Sequence, residues 1–245
     1  MNAVQRLYQY RKSLSTTVYK SRGQRVIRCD KCCLAQQHCI CDIAPENQIE
    51  RKSNAGFLLL MYDTEVFKPS NTGKLIADVI PDTYAFLWSR TVENLELLAV
   101  INDPKWQPYV VFPAQYAQEN REVVQQKVVC KEGKRPLFIM LDGSWREAKK
   151  MFRKSPYLDK FPMVSFDPTL FDVANVSECI TAEGGASRNR ESGDSDENQP
   201  RYHLRVSSGT NQFSTAEVSA RVLAMAGETV NAKVLDLWFD VFSYQ

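Results

Sequence analysis

Residues 137–141 read Leu-Phe-Ile-Met-Leu, and Asp-Gly-Ser-Trp follows directly at positions 142–145. A short, continuous apolar run that ends in turn chemistry is typical of a strand buried on both faces of a sheet. Asp142 would then stand at the carboxyl end of that strand, the edge at which parallel α/β sheets usually bind ligands. The spacing of Ser144 and Glu147 also fits a capping box, so a plain turn before a helix explains the same residues.

The same kind of apolar run recurs along the chain and alternates with segments that fit helices. The predicted strands are residues 57–61, 84–88, 109–112, 137–141 and 163–166. The predicted helices are residues 72–80, 92–101, 145–154 and 234–242, together with a helix that opens with a capping box at 214–217. This alternation predicts an α/β fold with a mostly parallel sheet flanked by helices.

Length and composition limit the number of domains and the surroundings of the protein. A chain of 245 residues with 44% apolar and 24% charged positions is expected to form one principal domain with at most a small appended module. It has no run near the roughly 18 apolar residues of a membrane span, and residues 1–20 lack an apolar signal core. We expect a soluble, cytoplasmic protein with no membrane contact and no obligate protein partner. Residues 184–200 are almost devoid of apolar side chains, which predicts a disordered insertion within the domain.

Basic residues are concentrated in two blocks, although the net charge of the whole chain is only +2. Residues 1–31 carry eight Lys and Arg against one acid, a balance of +7, and residues 134–160 carry eight against three, a balance of +5. Clustered Lys and Arg are the usual footprint of phosphate contacts, but solvated protein surfaces look the same in sequence. The charge pattern leaves RNA binding and a plain surface equally open.

Five of the seven cysteines lie between positions 29 and 41. Two residues separate Cys29 from Cys32 and one separates Cys39 from Cys41, so four thiolates are close enough in sequence to surround one tetrahedral ion. Zinc in a structural role is the expected occupant, ahead of an iron–sulfur cluster. Cys33 is an alternative ligand to Cys32, and a set of free or buried thiols is the alternative to a metal site.

With these motifs in this order, the chain resembles the DTW-domain family of aminocarboxypropyltransferases. The family is named for an Asp-x-Thr-Trp motif, which this chain carries as Asp142-Gly143-Ser144-Trp145 with serine in place of threonine. The joint occurrence of several motifs makes the resemblance more specific than any single motif does. It spans most of residues 28–226 and also covers the cysteine cluster, Lys68-Pro69-Ser70-Asn71-Thr72-Gly73, Phe112-Pro113 and Ser214-Thr215-Ala216-Glu217.

The resemblance implies a fold related to the SPOUT class, with a parallel sheet and a C-terminal knot at the cofactor site. It implies transfer of the 3-amino-3-carboxypropyl group of S-adenosylmethionine to N3 of a tRNA uridine, with release of methylthioadenosine. Bacterial-type members modify the uridine at conventional tRNA position 47. We expect residues 1–50 to form a basic segment with a metal knuckle and residues 51–245 to form the catalytic domain.

The implied reaction gives each motif an expected role. Asp142 acts as a general base or orients the uridine, Ser144 caps or hydrogen-bonds, and Trp145 either stacks on the base or packs in the core. Amides at the start of the helix near Ser214 are expected to hold the methionine carboxylate. The expected cofactor contacts are Pro69, Ser70, Asn71, Thr72, Gly73, Phe112, Pro113, Ser214, Thr215 and Ala216. The expected RNA contacts are Lys74, Arg146, Lys149, Lys150 and Arg153.

Two other functions fit parts of the sequence. An rRNA aminocarboxypropyltransferase or a methyltransferase acting on RNA would use the same cofactor. A zinc-containing RNA-binding protein without catalysis would account for the basic blocks and the cysteines alone. The full set of strands and loop motifs is unnecessary for such a small binding module, so the sequence favours an enzyme.

Overall fold

A computed structural model describes residues 1–16, 25–45, 52–166 and 213–245, and these residues form one six-stranded sheet. The strand order is β2-β1-β5-β3-β6-β4, and every pair of neighbouring strands is parallel. The predicted α/β fold with a parallel sheet is confirmed. The strands are β1 (Gly56–Met61), β2 (Thr83–Leu87), β3 (Trp106–Val111), β4 (Val123–Val124), β5 (Arg135–Asp142) and β6 (Met163–Val164).

The apolar runs become the central strands because both of their faces are covered. β1 is buried along its whole length, as its continuous Phe-Leu-Leu-Leu-Met run predicts. β3 begins before the predicted residue 109 and includes Pro108, which has no N–H to donate. β6 pairs with β3 only at Val110 and Val111, so Pro108 lies where β3 has no neighbour on that side. β4 has two residues and is too short to show a pattern in the sequence.

Helices cover both faces of the sheet and make it the middle of three layers. Phe57 and Leu59 of β1 face the core shared with α1, α2, α5 and α6, whereas Leu58 and Leu60 face the core shared with α3 and α4. In the described part of the chain, no helix has both the length and the apolar character needed to cross a membrane. The α-helices are α1 (Ala3–Ser13), α2 (Gly73–Val79), α3 (Leu95–Asn102), α4 (Trp145–Arg153), α5 (Thr215–Met225) and α6 (Thr229–Ser243).

The helix α1 is absent from the sequence-based prediction. A capping box closed by Asn2 and Gln5 starts it, and Val4 and Leu7 are buried in the same core as β1 and α6. The basic N-terminal segment therefore packs directly on the sheet. Its expected division from the catalytic domain at residue 50 stays a prediction.

The strand order places a topological switch point between β1 and β5. From β1 the chain passes through α2 on one face to β2, and from β5 it passes through α4 on the other face to β6. The two connections leave in opposite directions, and at such a point parallel α/β sheets usually bind ligands in a crevice outside the carboxyl ends of the strands, here β1 and β5. Asp142 ends β5 at this crevice. The expected insertion at residues 184–200 lies outside the described residues, and the expected C-terminal knot stays a prediction.

Candidate active site

Asp142 joins three segments that are distant in sequence. Only 2% of its surface is exposed. Its Oδ2 accepts a hydrogen bond from Nδ2 of Asn71 at 2.7 Å, and its Oδ1 accepts one from Oγ1 of Thr215 at 2.7 Å. Its backbone carbonyl accepts a hydrogen bond from the amide of Tyr62, just after β1, at 2.9 Å. Residues expected to serve catalysis and cofactor binding thus meet around one buried carboxylate.

Gly73 is placed so close to Asp142 that a side chain does not fit. A Cβ atom at residue 73 would lie 2.5 Å from Oδ2 of Asp142, a distance that real Cβ atoms essentially never show. Thr72 contacts the start of α5, because its Oγ1 accepts a hydrogen bond from the amide of Ala216 at 3.3 Å. Residues 69–73, which we call loop 69–73, therefore pack against both β5 and α5.

The start of α5 uses most of its polar groups inside the protein. Ser214 and Glu217 close a capping box, in which the Ser214 amide donates to Oε2 of Glu217 at 2.8 Å. The amide of Ala216 donates to Thr72. Two of the three amides expected to hold a substrate carboxylate are therefore already engaged, and Thr215 contributes through its side chain instead.

Ser144 caps α4, as its spacing predicts. Its Oγ donates to Oε2 of Glu147 at 2.6 Å and accepts from the Glu147 amide at 3.4 Å. Glu147 lies 4.0 Å from Nζ of Lys68, whose ammonium also hydrogen-bonds the buried Glu65. The cap therefore links the turn after β5 to the residue that precedes loop 69–73.

Trp145 is the outermost ring of an aromatic stack. Phe112 lies between Trp145, at 5.5 Å between ring centroids and 19°, and Phe152, at 4.4 Å and 10°. Tyr116 meets the edge of Trp145 at 5.8 Å, and Nζ of Lys149 lies 5.5 Å from the Trp145 ring. Trp145 keeps 37% of its surface exposed, whereas Phe112 is buried. Trp145 thus packs on one side and is accessible on another.

Phe112 and Pro113, which the resemblance assigns to the cofactor, follow the end of β3 beside β5. Phe112 is fixed within the aromatic stack, and Pro113 leads into the single-turn helix Ala114–Tyr116 that carries Tyr116. These contacts explain packing and loop shape. Cofactor contact by the two residues stays a prediction.

The side chains of Cys29, Cys32, Cys39 and Cys41 converge on one point. Their Sγ atoms all lie within 4.8 Å of one another, with 3.6 Å between Cys29 and Cys41 and 3.9 Å between Cys32 and Cys39. Tetrahedral zinc with Zn–S bonds of about 2.3 Å requires sulfur separations of about 3.8 Å. A disulfide would require about 2.0 Å. This set, which we call the cysteine cluster, is therefore compatible with zinc binding.

The backbone around the cysteine cluster explains which thiols belong to it. The amide of Cys33 donates to the carbonyl of Cys29 at 2.9 Å, and Cys33 takes a left-handed conformation with φ 61°. Burial raises the pKa of Cys33, which lies outside the converging set, so Cys32 is the fourth member. Burial opposes ionisation of Cys29, but the amides of Cys32 and Lys31 and the neighbouring thiols lower its pKa to about 7. Burial and the hydrogen bonds with Cys29 and Cys39 raise the pKa of Cys41, so the thiols of the cluster do not all ionise readily without a cation.

A family model described as DTW domain matches residues 26–245, which include both the cysteine cluster and the crevice at Asp142. The chain belongs to the DTW domain family. Membership indicates a transferase that modifies RNA and confirms the resemblance at the level of the family. No solved structure matches the chain.

Four of the five basic residues expected to contact RNA lie on α4 of this DTW domain. Arg146, Lys150 and Arg153 are exposed and Lys149 is partly exposed, whereas the opposite side of α4 is buried in the core. The helix begins at Trp145, so its basic side adjoins the accessible indole. We call this combination the α4 surface.

Lys74, the fifth expected RNA contact, points into the DTW domain instead. Its side chain is buried, and Nζ donates to the carbonyl of Cys32 and, at 2.9 Å, to the carbonyl of Pro69. The ring of Phe242 lies 4.6 Å from the same atom. Burial lowers the pKa of Lys74. Because the ammonium serves interior carbonyls, we correct the expectation that it contacts RNA phosphates.

A second aromatic pair stands at the same edge of the DTW domain and was not among the predicted site residues. Tyr62, after β1, stacks on Trp88, after β2, at 5.7 Å and 21°. Nζ of Lys150 lies 5.4 Å from the Tyr62 ring and donates to the Tyr62 hydroxyl at 3.1 Å. Nε1 of Trp88 donates to Oγ of Ser155 at 2.9 Å. The sequence did carry a signal for this pair, because Tyr62 directly follows the predicted strand 57–61 and Trp88 ends the predicted strand 84–88.

Proposed function

We propose that this protein transfers the 3-amino-3-carboxypropyl group of S-adenosylmethionine to N3 of a uridine in tRNA. N3 loses its proton and forms a bond to the γ-carbon of the methionine moiety, while the bond between that carbon and the sulfonium sulfur breaks. The sulfur leaves with its electron pair as neutral methylthioadenosine. Membership of the DTW domain family supports the general part of this proposal, namely that the protein is an RNA-modifying transferase.

The observation that carries the proposal is the buried carboxylate of Asp142 with its two short hydrogen bonds. Asn71 and Thr215 lie 71 and 73 residues away from it in sequence. A structural turn needs no such convergence, because the Ser144 capping box already satisfies the start of α4. A carboxylate held by two donors at a switch point suits a site that orients a small polar group.

The chemistry requires a group that handles the N3 proton. Uridine N3 attacks carbon only as its proton leaves, and a carboxylate that accepts a hydrogen bond from N3–H orients this edge of the base. Asn71 and Thr215 donate to different oxygens of Asp142, so the plane of the carboxylate is fixed before a substrate arrives. In this proposal Asp142 is first an orienting group and then accepts the proton as the N–C bond forms.

S-adenosylmethionine is proposed to bind in the crevice outside β1 and β5, against loop 69–73 and the start of α5. The absence of a side chain at Gly73 permits the close approach of this loop to Asp142. The sulfonium is a cation, so the Asp142 carboxylate favours its placement there. The accessible side of Trp145 is proposed to stack on an unpaired base, and the basic residues of the α4 surface to contact phosphates.

The cysteine cluster is proposed to hold zinc through Cys29, Cys32, Cys39 and Cys41, whose sulfur separations fit one tetrahedral ion. Four thiolate ligands leave no open position for a substrate. Zinc therefore supplies structure to this segment and takes no part in the transfer step.

Mass spectrometry of digested nucleosides tests the proposal. The full chain is incubated with unmodified tRNA and S-adenosylmethionine, and we expect a uridine that carries the mass increment of the aminocarboxypropyl group. The matched control is Asp142→Asn, which keeps the shape of the side chain but replaces one acceptor with a donor, and we expect it to form little product. Modification of rRNA fragments but not of tRNA would assign the reaction to rRNA. No increment on either RNA would refute the proposal.

The by-product separates aminocarboxypropyl transfer from methyl transfer. Methylthioadenosine marks the first reaction, and S-adenosylhomocysteine marks the second. A protein that binds zinc and RNA but forms neither compound is a binding module. The convergence of Asn71, Thr215 and Asp142 favours catalysis over that reading, because RNA binding alone has no use for a buried carboxylate at the sheet edge.

A further inference from the structure

Lys74 joins the cysteine cluster to the loop that holds Asp142. It is the second residue of α2, and only 8% of its surface is exposed. Its Nζ donates to the carbonyl of Cys32 and to the carbonyl of Pro69. Its backbone amide donates to Oδ1 of Asn71 at 3.2 Å, and Nδ2 of Asn71 donates to Asp142. One residue therefore contacts a member of the cysteine cluster and two members of loop 69–73.

The Lys74 ammonium is buried, so other interactions must offset the free energy lost when it leaves water. Burial of a charged group costs several kcal/mol unless hydrogen bonds and opposite charge offset it. Two carbonyl oxygens and the face of Phe242 supply part of that compensation. Lys74 lines one small cavity together with Cys32, Cys41 and Asp78. Cys33 and these three groups oppose the larger effect of burial, which lowers the pKa of Lys74.

Metal loading would change both the charge and the backbone contact that hold Lys74. Zinc with four thiolates carries a net charge of about −2, which attracts the buried ammonium. Coordination through the Cys32 sulfur would also restrict the Cys32 carbonyl, to which Lys74 donates. A fixed Lys74 in turn restricts Pro69 and Asn71.

We propose that Lys74 is a positioning residue through which metal loading of the cysteine cluster orders loop 69–73 for S-adenosylmethionine. This inference rests on the proposed function for the identity of the ligand. It makes the binding of the metal and that of S-adenosylmethionine mutually favourable. By thermodynamic reciprocity, each ligand raises the affinity for the other by the same factor.

Zinc affinity measured with and without S-adenosylmethionine tests the coupling. The full chain competes with a chromophoric chelator for zinc in a thiol-free reductant, with RNA absent so that no turnover occurs. We expect saturating S-adenosylmethionine to raise the zinc affinity of the wild-type chain by about 5-fold or more. Calorimetric titration of metal-free and zinc-loaded protein with S-adenosylmethionine is expected to give the same factor.

Two variants separate positioning by Lys74 from general stability. Lys74→Met keeps an unbranched apolar side chain without the ammonium, and we expect its coupling factor to fall to about 1. Gly133→Ala is the control for stability, because Gly133 has φ +73° and a Cβ there would meet nothing within 4 Å. Its backbone strain lowers stability without a contact to the cysteine cluster or to loop 69–73, and we expect full coupling.

The outcomes are distinct. If calorimetry shows that the wild-type chain binds S-adenosylmethionine, equal zinc affinity with and without this ligand overturns the inference and leaves the proposed reaction standing. This comparison needs no variant, so it holds even if Lys74→Met fails to fold. Full coupling in a folded Lys74→Met protein also overturns the inference. Zinc-loaded wild-type protein that binds no S-adenosylmethionine contradicts the proposed function itself, and the inference with it.

Discussion

Gly73→Ala adds one methyl group beside the Asp142 carboxylate. The new Cβ would lie 2.5 Å from Oδ2 of Asp142, whereas ordinary van der Waals contact begins near 3.4 Å. The carboxylate must therefore retreat by about 1 Å. Its hydrogen bonds from Asn71 and Thr215, both 2.7 Å long, would then exceed the usual range.

The size of the effect follows from that displacement. A catalytic group that is misplaced by 1 Å costs on the order of 100-fold in rate. Hydrogen bonds to charged groups contribute about 1.5–3 kcal/mol each, and 100-fold corresponds to the loss of about one of them. We therefore expect the kcat/KM of Gly73→Ala for RNA to fall by about 100-fold.

The assay is the initial rate of methylthioadenosine formation at saturating S-adenosylmethionine. Gly133→Ala is the matched control, since Gly133 has φ +73 and a Cβ there would meet nothing within 4 Å. Its backbone strain costs about 1–2 kcal/mol of stability without any contact at the site. We expect Gly133→Ala to melt at a lower temperature and to keep its activity. Gly73→Ala with more than half of the wild-type rate would refute the role given to this close approach.

Three further predictions concern the metal and the RNA. Cys39→Ser is expected to weaken zinc binding by at least about 100-fold in a chelator competition, because it removes one of four thiolates, whereas Cys130→Ser should bind zinc normally. Equal zinc affinity in the two variants would contradict the metal site. Trp145→Ala is expected to weaken RNA binding by roughly 5- to 150-fold in filter binding, the range for loss of one stacked base, and unchanged affinity would make Trp145 a packing residue. Lys149→Ala should reduce the slope of log affinity against log salt by about 0.7–0.9 if this ammonium contacts one phosphate, and an unchanged slope would exclude that contact.

The sheet and its functional edge could be predicted because burial on both faces leaves a plain pattern. The continuous apolar runs in β1 and β5 permit few other structures of that length. The end of the β5 run places Asp142 at the carboxyl edge of the sheet, and the structure has it there. Ser144 and Ser214 were predictable as caps for a similar reason, since a capping box is closed within four residues.

The helix α1 was not predicted because its apolar pattern is weak. α1 buries only Ala3, Val4 and Leu7, so its apolar stripe is too short to stand out among basic and amide residues. The spacing of Asn2 and Gln5 was the available signal, because the two side chains form a capping box.

The partners of Asp142 could not be predicted from local sequence, because they depend on tertiary packing. Asn71 and Thr215 reach the carboxylate only after α2 and α5 pack on the same face of the sheet. Tertiary packing also explains why the role expected for Lys74 was wrong. A lysine beside a site is read as a surface cation, and its burial depends on carbonyls that the sequence does not bring together.

Methylthioadenosine released in a single turnover tests the central claim most directly, which is that the crevice at Asp142 transfers an aminocarboxypropyl group to RNA. We predict that the wild-type protein releases this compound only when tRNA is present, in equal amount to the modified uridine, and that Asp142→Asn loses at least about 100-fold in rate. S-adenosylhomocysteine in place of methylthioadenosine, or a wild-type rate from folded Asp142→Asn protein, would contradict the claim.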